Sequence, residues 1–119
     1  MHWTPLSREE LQGTIERGLA ECSDEQRAYF RTVAFETAKW EQSPYGDEGG
    51  GFWAVAAEDD RVLWYNDIED GFNVSTFAAW GTIPASEYWC NQDALKAALP
   101  ALMGQRTWKA GPPKPLDRR

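Results

Sequence analysis

Residues 52–67 read FWAVAAEDDRVLWYND, a stretch rich in side chains that favour strands. Its two halves, Phe52–Ala57 and Arg61–Asp67, carry aromatic and β-branched residues, which pack well on a pleated sheet. Between them lies a short acidic joint, Glu58-Asp59-Asp60. The pattern predicts a β-hairpin.

The sequence on either side of this hairpin predicts a loop and a further strand. Glycine and proline crowd residues 43–51, which we expect to form the entering loop. Glu69-Asp70-Gly71 is a turn sequence, and Phe72–Ala78 after it reads as a third strand. Residues 80–84 add a possible short extended piece, so the sheet has three or four antiparallel strands.

The N-terminal part of the chain predicts a helix over residues 7–21. Ser7-Arg-Glu-Glu10 is a capping box. The apolar residues behind it recur every fourth position, at Leu11, Ile15 and Leu19. Gly13 and Gly18 each weaken such a helix by roughly 1 kcal/mol relative to alanine.

Two further segments have helix signals. A second capping box, Ser23-Asp-Glu-Gln26, predicts one or two more helical turns, and residues 32–37 favour an extended segment. Asn91 is a good N-cap for a C-terminal helix over residues 92–103, in which Pro100 should cause a kink or a restart. Its apolar stripe consists of Leu95, Leu99 and Leu102.

These elements predict an α+β fold, with an N-terminal helix, an antiparallel three- to four-stranded meander, and a C-terminal helix packed on one face. The other sheet face should meet water unless aromatic side chains cover it. We expect one domain over residues 1–105, followed by a basic, proline-rich tail over residues 106–119 that is disordered or loosely packed. The domain has 18 acidic and 7 basic residues, a net of −11; the tail has five basic residues and one acidic, a net of +4.

The counts of reactive side chains argue against several chemistries. The one histidine, His2, stands at the terminus, where an imidazole-dependent triad is hard to build. Cys22 and Cys90 form no CxxC pair, so zinc ribbons and thiol-redox motifs are not expected. EF-hand spacing fails because Ile68 and Phe77 would occupy ligand positions, and the glycines at 49–51 lack the lysine of a phosphate loop. We expect no cofactor and no metal.

Charge and hydropathy limit the partners. A body with a net charge of −11 disfavours nucleic acid, because phosphate contacts need lysine and arginine. The sequence has no apolar run long enough for a membrane helix and no signal-peptide pattern at its start. We therefore expect a cytoplasmic protein with reduced thiols.

Chemistry-bearing side chains are densest at residues 64–73, which read WYNDIEDGFN. If the strand persists through this stretch, Tyr65, Asp67 and Glu69 share one face of it. We expect a binding surface formed by Trp64, Tyr65, Asp67, Glu69 and Asp70. The alternative is a plain turn whose ends are tied by Asn66 and Asn73.

Three hypotheses for function follow. The first is a small interaction protein, of an inhibitor or immunity type, whose acidic-aromatic surface binds a basic protein partner. The second is a small hydrolase in which Asp67 and Glu69 are the acid and base and Trp64 is a stacking platform; it requires a concave pocket that holds both carboxylates. The third is a structural domain that forms homodimers and has no small-molecule site.

Overall fold

The chain forms two helices, four strands and a third helix in the computed structural model, which describes residues 3–112. The elements are α1 (Arg8–Ala20), α2 (Asp24–Val33), β1 (Ala34–Trp40), β2 (Phe52–Glu58), β3 (Arg61–Asn66), β4 (Gly71–Thr76) and α3 (Leu95–Leu102). The strands lie side by side in chain order and pair antiparallel, as a meander. The predicted α+β class and the C-terminal helix packed on the sheet are confirmed.

Both predicted capping boxes begin helices. The Ser7 hydroxyl accepts from the backbone N–H of Glu10 at 3.0 Å, and the Glu10 carboxylate accepts from the N–H of Ser7 at 2.9 Å. Ser23 and Gln26 repeat this arrangement at the start of α2. The helix α2 has ten residues, however, and the extended segment begins at residue 34 rather than 32. Burial of the apolar face of α2 outweighs the strand preference of its last two residues.

The C-terminal helix begins later than predicted. Its N-cap is Ala94, which has no side-chain cap, and Asn91 is not a capping residue. Asn91 is buried and its amide instead joins two segments: it donates to the Trp108 carbonyl at 2.9 Å and accepts from the N–H of Ala110 at 2.6 Å. These bonds satisfy a buried amide that a helix terminus would leave half exposed.

Pro100 lies inside α3, and the helix continues past it. A proline has no N–H for the carbonyl four residues earlier, which here belongs to Lys96. That carbonyl accepts instead from Nε2 of Gln26 on α2, at 2.9 Å. The neighbouring helix thus supplies the donor that proline removes.

The sheet is covered on both faces. The three helices bury one face, around Leu11, Leu63 and Leu99. On the other face, the segment after β4 packs Ile83 and Tyr88 against an aromatic cluster of the sheet. This cluster consists of Trp40, Phe52 and Trp64. Aromatic side chains therefore cover the face that the helices leave open.

Part of the predicted tail lies along the edge of β4. The carbonyl of Ala110 accepts from the N–H of Cys90 at 2.6 Å, and Nζ of Lys109 donates to the Val74 carbonyl at 3.2 Å. Lys109 also stands 5.2 Å from the ring centre of Trp89. Residues 113–119 lie outside the described part of the chain, so the prediction for the rest of the tail concerns residues not described.

Candidate functional site

Two of the predicted surface residues, Trp64 and Tyr65, lie on opposite faces of the sheet. Trp64 is fully buried among the aromatic cluster, where its Nε1 donates to Oγ of Ser75 at 2.8 Å. Its ring is core and offers no surface to a partner in this structure. Tyr65 lies on the helix-covered face.

The acidic stretch after β3 is a turn, not a continued strand. The strand ends at Asn66, whose Oδ1 accepts from the N–H groups of Ile68 and Glu69 at 3.1 and 3.2 Å. Its Nδ2 donates to the Tyr88 hydroxyl, and Asp70 closes the turn with a positive φ of 59°. Asp67 and Glu69 therefore do not share a strand face, because the backbone curls around the buried Asn66 amide.

Asp67 lies beneath the N-terminal segment. Its Oδ2 accepts from the N–H of Leu6 at 2.8 Å, while Nε1 of Trp53 donates to the Leu6 carbonyl at 2.8 Å. Its Oδ1 is buried and has no hydrogen-bond partner. Burial raises the pKa of this carboxyl, although the Leu6 hydrogen bond and the Lys39 cation act in the opposite direction. Asp67 holds the N-terminal segment in place and is not exposed to a ligand.

A cleft of about 330 Å³ brings together two residues of the predicted surface, Tyr65 and Asp70, but not Glu69. We call it the Tyr65 cleft. Its floor contains Tyr65 and Phe72, whose rings meet edge to face with centres 5.0 Å apart. Charged side chains at its rim come from the end of α1, from the β3–β4 turn and from the segment before α3. They are Arg17, Glu21, Asp70 and Asp93.

Two glycines make this cleft possible. A Cβ on Gly71 would lie 2.3 Å from the carbonyl oxygen of Asn91, so only glycine lets residues 91–93 pass against β4. That approach allows the N–H of Phe72 to donate to the Asp93 carbonyl at 2.9 Å. A Cβ on Gly18 would lie 2.8 Å from Cβ of Leu95, so glycine also lets α1 meet the start of α3.

The electrostatics of the Tyr65 cleft are acidic. Nζ of Lys96 lies 3.6 Å from Oε1 of Glu21, and Asp93 accepts a hydrogen bond from Asn91. Asp70 has no ion pair among residues 3–112. Three carboxylates against one guanidinium leave a net charge of −2 on the cleft wall.

The Tyr65 hydroxyl is a polar group of the cleft that has no hydrogen-bond partner within residues 3–112. The residue is only 8% exposed, yet its oxygen makes no hydrogen bond within the described part of the chain. Burial raises the pKa of the Tyr65 hydroxyl, and the negative charge of Asp70 raises it further. The group is therefore a neutral donor and acceptor available to whatever enters the cleft.

A second, larger groove of about 490 Å³ lies beside the 43–51 loop, with Glu41 and Asp47 on its wall. Its buried amide, Gln42, is satisfied internally: Oε1 accepts from the N–H groups of Tyr45 and Gly46, and Nε2 donates to the Ser43 carbonyl. The buried amide of this groove is therefore hydrogen-bonded within the protein, whereas the Tyr65 hydroxyl has no hydrogen bond within residues 3–112.

The structure gives little support to the hydrolase alternative. Asp67 is enclosed, and neither it nor Glu69 lines the Tyr65 cleft or the larger groove. Cys22 and Cys90 are free thiols, and burial raises the pKa of both, which makes them poor nucleophiles. Over residues 3–112, no group of three or more acidic, histidine or cysteine side chains is arranged to hold a metal ion.

Sequence reasoning missed Arg17, Glu21 and Asp93, which are far from residues 64–73 along the chain. Their only sequence signal is indirect. Gly18 interrupts an amphipathic helix, and Gly71 follows a turn; each glycine marks a close approach of another segment. Which segment approaches cannot be read from either residue.

No helix within residues 3–112 is long and apolar enough to cross a membrane. Comparison with protein-family models, curated proteins and solved structures finds no match to this chain. The case for a function therefore rests on the geometry and charge of the Tyr65 cleft and of the turn beside it.

Proposed function

We propose that this protein is an interaction domain that binds a basic protein partner, as an inhibitor or immunity protein does. The observation that carries the proposal is the acidic Tyr65 cleft, in which, within residues 3–112, Asp70 forms no ion pair and the Tyr65 hydroxyl forms no hydrogen bond. Glu69, in the same turn as Asp70, extends this acidic surface beyond the cleft.

The charge of the whole described chain supports the same proposal. Residues 3–112 carry 18 acidic and 9 basic side chains, a net of −9. Such a field attracts a basic protein over several ångströms and accelerates its association. It repels nucleic acid, whose phosphates have the same sign. We also propose a cytoplasmic location, which the two free thiols support because disulfides form in oxidising compartments.

Affinity capture from the source cell tests this function. The wild-type chain is compared with a Glu69→Gln/Asp70→Asn variant and with a control, Glu36→Gln/Glu41→Gln, which loses the same charge from exposed residues of β1 and its end. A basic protein should be retained by the wild type and the control but not by the first variant. The captured protein, once purified, should bind more weakly as salt rises. Equal capture by all three forms contradicts the proposal.

Self-association is a second candidate, favoured by an exposed aromatic patch around Trp80. This ring is 64% exposed and leans on Trp40 and Phe35, with ring centres 4.9 and 5.3 Å apart. A large exposed aromatic side chain is typical of contact surfaces. Sedimentation velocity over a hundredfold range of concentration should show a dimer that Trp80→Ser abolishes; a monomer at every concentration rejects this candidate.

A further inference from the structure

The Tyr65 cleft has the shape and chemistry of a receptor for one side chain. Its acceptors come from three separate parts of the chain: Glu21 from the end of α1, Asp70 from the β3–β4 turn, and Asp93 from the segment before α3. Its floor is the edge-to-face pair of Tyr65 and Phe72. An occupant should therefore be flat, apolar along its stem and cationic at its tip.

Resting on the proposed function, we infer that this cleft receives an arginine side chain of the basic partner. A guanidinium presents five N–H donors in a planar fork, whereas the ammonium of lysine presents three from a single point. Acceptors spread over three parts of the chain match the fork. The apolar floor gives the stem of that side chain a surface to lie against.

The unpartnered Tyr65 hydroxyl is evidence for a ligand that is independent of the acidic rim. Tyr65 is 8% exposed, and a tyrosine buried to this depth usually has a hydrogen-bond partner, but its hydroxyl has none within residues 3–112. The hydroxyl is not among the enclosed polar atoms of the described chain, and Tyr65 lines the cleft, so an incoming N–H group can reach it there.

Two positively charged features of the cleft oppose the binding of a cation. Arg17 lies on the cleft wall, where Thr14 Oγ1 accepts from its Nη2 at 3.2 Å, so its guanidinium is held along α1. The uncapped start of α3 adds a partial positive charge. Asp93, two residues before the start of α3, offsets that helix end, and Asp70 and Glu21 outnumber Arg17.

Titration of the full chain with small amides, followed by NMR, tests the inference. The probes are Nα-acetyl-arginine N-methylamide, its lysine counterpart, and its citrulline counterpart, which has the shape of arginine without the charge. The arginine amide should shift the resonances of Tyr65, Phe72 and Leu95, bind about tenfold tighter than the lysine amide, and leave citrulline without measurable binding. Equal binding of arginine and lysine, or binding of citrulline, overturns the inference.

Variants assign the binding to the cleft. Tyr65→Phe removes one hydroxyl and keeps the ring, and Asp93→Asn keeps the oxygen that accepts from Asn91. Each should weaken the arginine amide about tenfold, whereas Glu36→Gln on β1 should leave it unchanged. Two variants are used so that a folding defect in one leaves the other decisive. Unchanged affinity in a folded variant overturns the inference.

The captured partner separates this inference from the function on which it rests. If Glu69→Gln/Asp70→Asn abolishes capture while Tyr65→Phe and Asp93→Asn leave it intact, the acidic surface binds a partner and the cleft does not receive its arginine. If no form captures a basic protein, the proposed function fails even where the amide binds.

Discussion

The carboxylate of Asp67 accepts from the Leu6 N–H and is otherwise enclosed, with Oδ1 unpartnered and its pKa raised by burial. The folded protein therefore holds this proton more tightly than the unfolded chain does, where the pKa is near 3.8. The resulting stability is fully present below that pH. It is lost as the pH rises through the higher pKa of the folded state.

Replacement of this carboxyl should change how stability depends on pH. Asp67→Asn retains an acceptor for Leu6 and cannot ionise, so the variant should gain stability relative to wild type as the pH rises above about 3.8 and reach a plateau above the folded-state pKa. Urea unfolding of both proteins between pH 3.5 and 7.5 measures the difference. A difference that is constant with pH contradicts this assignment.

Asn66 shapes the acidic turn from inside the core. It is fully buried, accepts from Ile68 and Glu69, and donates to Tyr88 and the Trp89 carbonyl. Asn66→Ala removes all four bonds and leaves the buried Tyr88 hydroxyl without its donor, so it should lower the free energy of unfolding by about 3 kcal/mol. Glu69→Gln in the same turn, compared by urea unfolding, should stay within about 0.5 kcal/mol of wild type.

At the scale of elements, Gly71 fixes how the segment before α3 meets β4. Gly71→Ala places a Cβ 2.3 Å from the Asn91 carbonyl oxygen, and relief requires backbone displacement. We expect a loss of about 1–3 kcal/mol in unfolding free energy, together with weaker binding of the arginine amide because Asp93 moves. Gly50→Ala is unsuitable as a control because its φ is positive, whereas Gly111→Ala meets open space and should cost little.

The contact between α2 and α3 compensates for a proline. Gln26→Met removes the donor to the Lys96 carbonyl, and Pro100→Ala restores an N–H that can reach the same carbonyl. The cost of Gln26→Met should therefore fall by about 1 kcal/mol in the Pro100→Ala background. A double-mutant cycle by urea unfolding measures this coupling, and the lost capping interaction of Gln26 cancels because it is common to both backgrounds. Additive effects contradict the compensation.

Local signals predict the elements better than their ends. The two capping boxes and the hairpin are confirmed because Ser7, Ser23 and the strand-forming residues act over three or four positions. The predicted start of α3 is wrong because an asparagine can either cap a helix or join two segments by hydrogen bonds. Here the bonds to Trp108 and Ala110 make Asn91 a link between segments. The turn predicted at Glu69-Asp70-Gly71 is present, but a strand face shared by Asp67 and Glu69 is not, because the chain turns already at Asp67. It turns around the buried Asn66, whose partner Tyr88 is 22 residues away.

At the scale of the whole molecule, the excess of acidic side chains opposes the folded state. Residues 3–112 have a net charge of −9. Folding brings these charges closer together, so their mutual repulsion destabilises the folded state. Salt screens this repulsion, so the unfolding free energy at pH 7 should rise by up to about 1 kcal/mol between 10 and 200 mM NaCl. Urea titrations in NaCl and in KCl should agree. A decrease with salt would show that attractive ion pairs dominate.

The sequence alone does not show which segments pack together at the candidate site. Tyr65 and Asp70 were predicted from their own neighbourhood, whereas Glu21 and Asp93 join them only because α1 and α3 pack together at Gly18. Trp64 was assigned to the surface because alternation cannot tell which strand face is covered, and here both faces are.

The floor of the Tyr65 cleft is also hydrophobic core, since Tyr65, Phe72 and Leu95 are buried residues of the helix-covered face. Its rim consists of side chains on helix ends and turns. Substitutions at the rim should therefore change the free energy of unfolding little, whereas substitutions at the floor should lower it. Under the proposed function, substitutions at the rim would change which charge pattern is recognised, whereas the depth and shape of the recess are set by the fold itself.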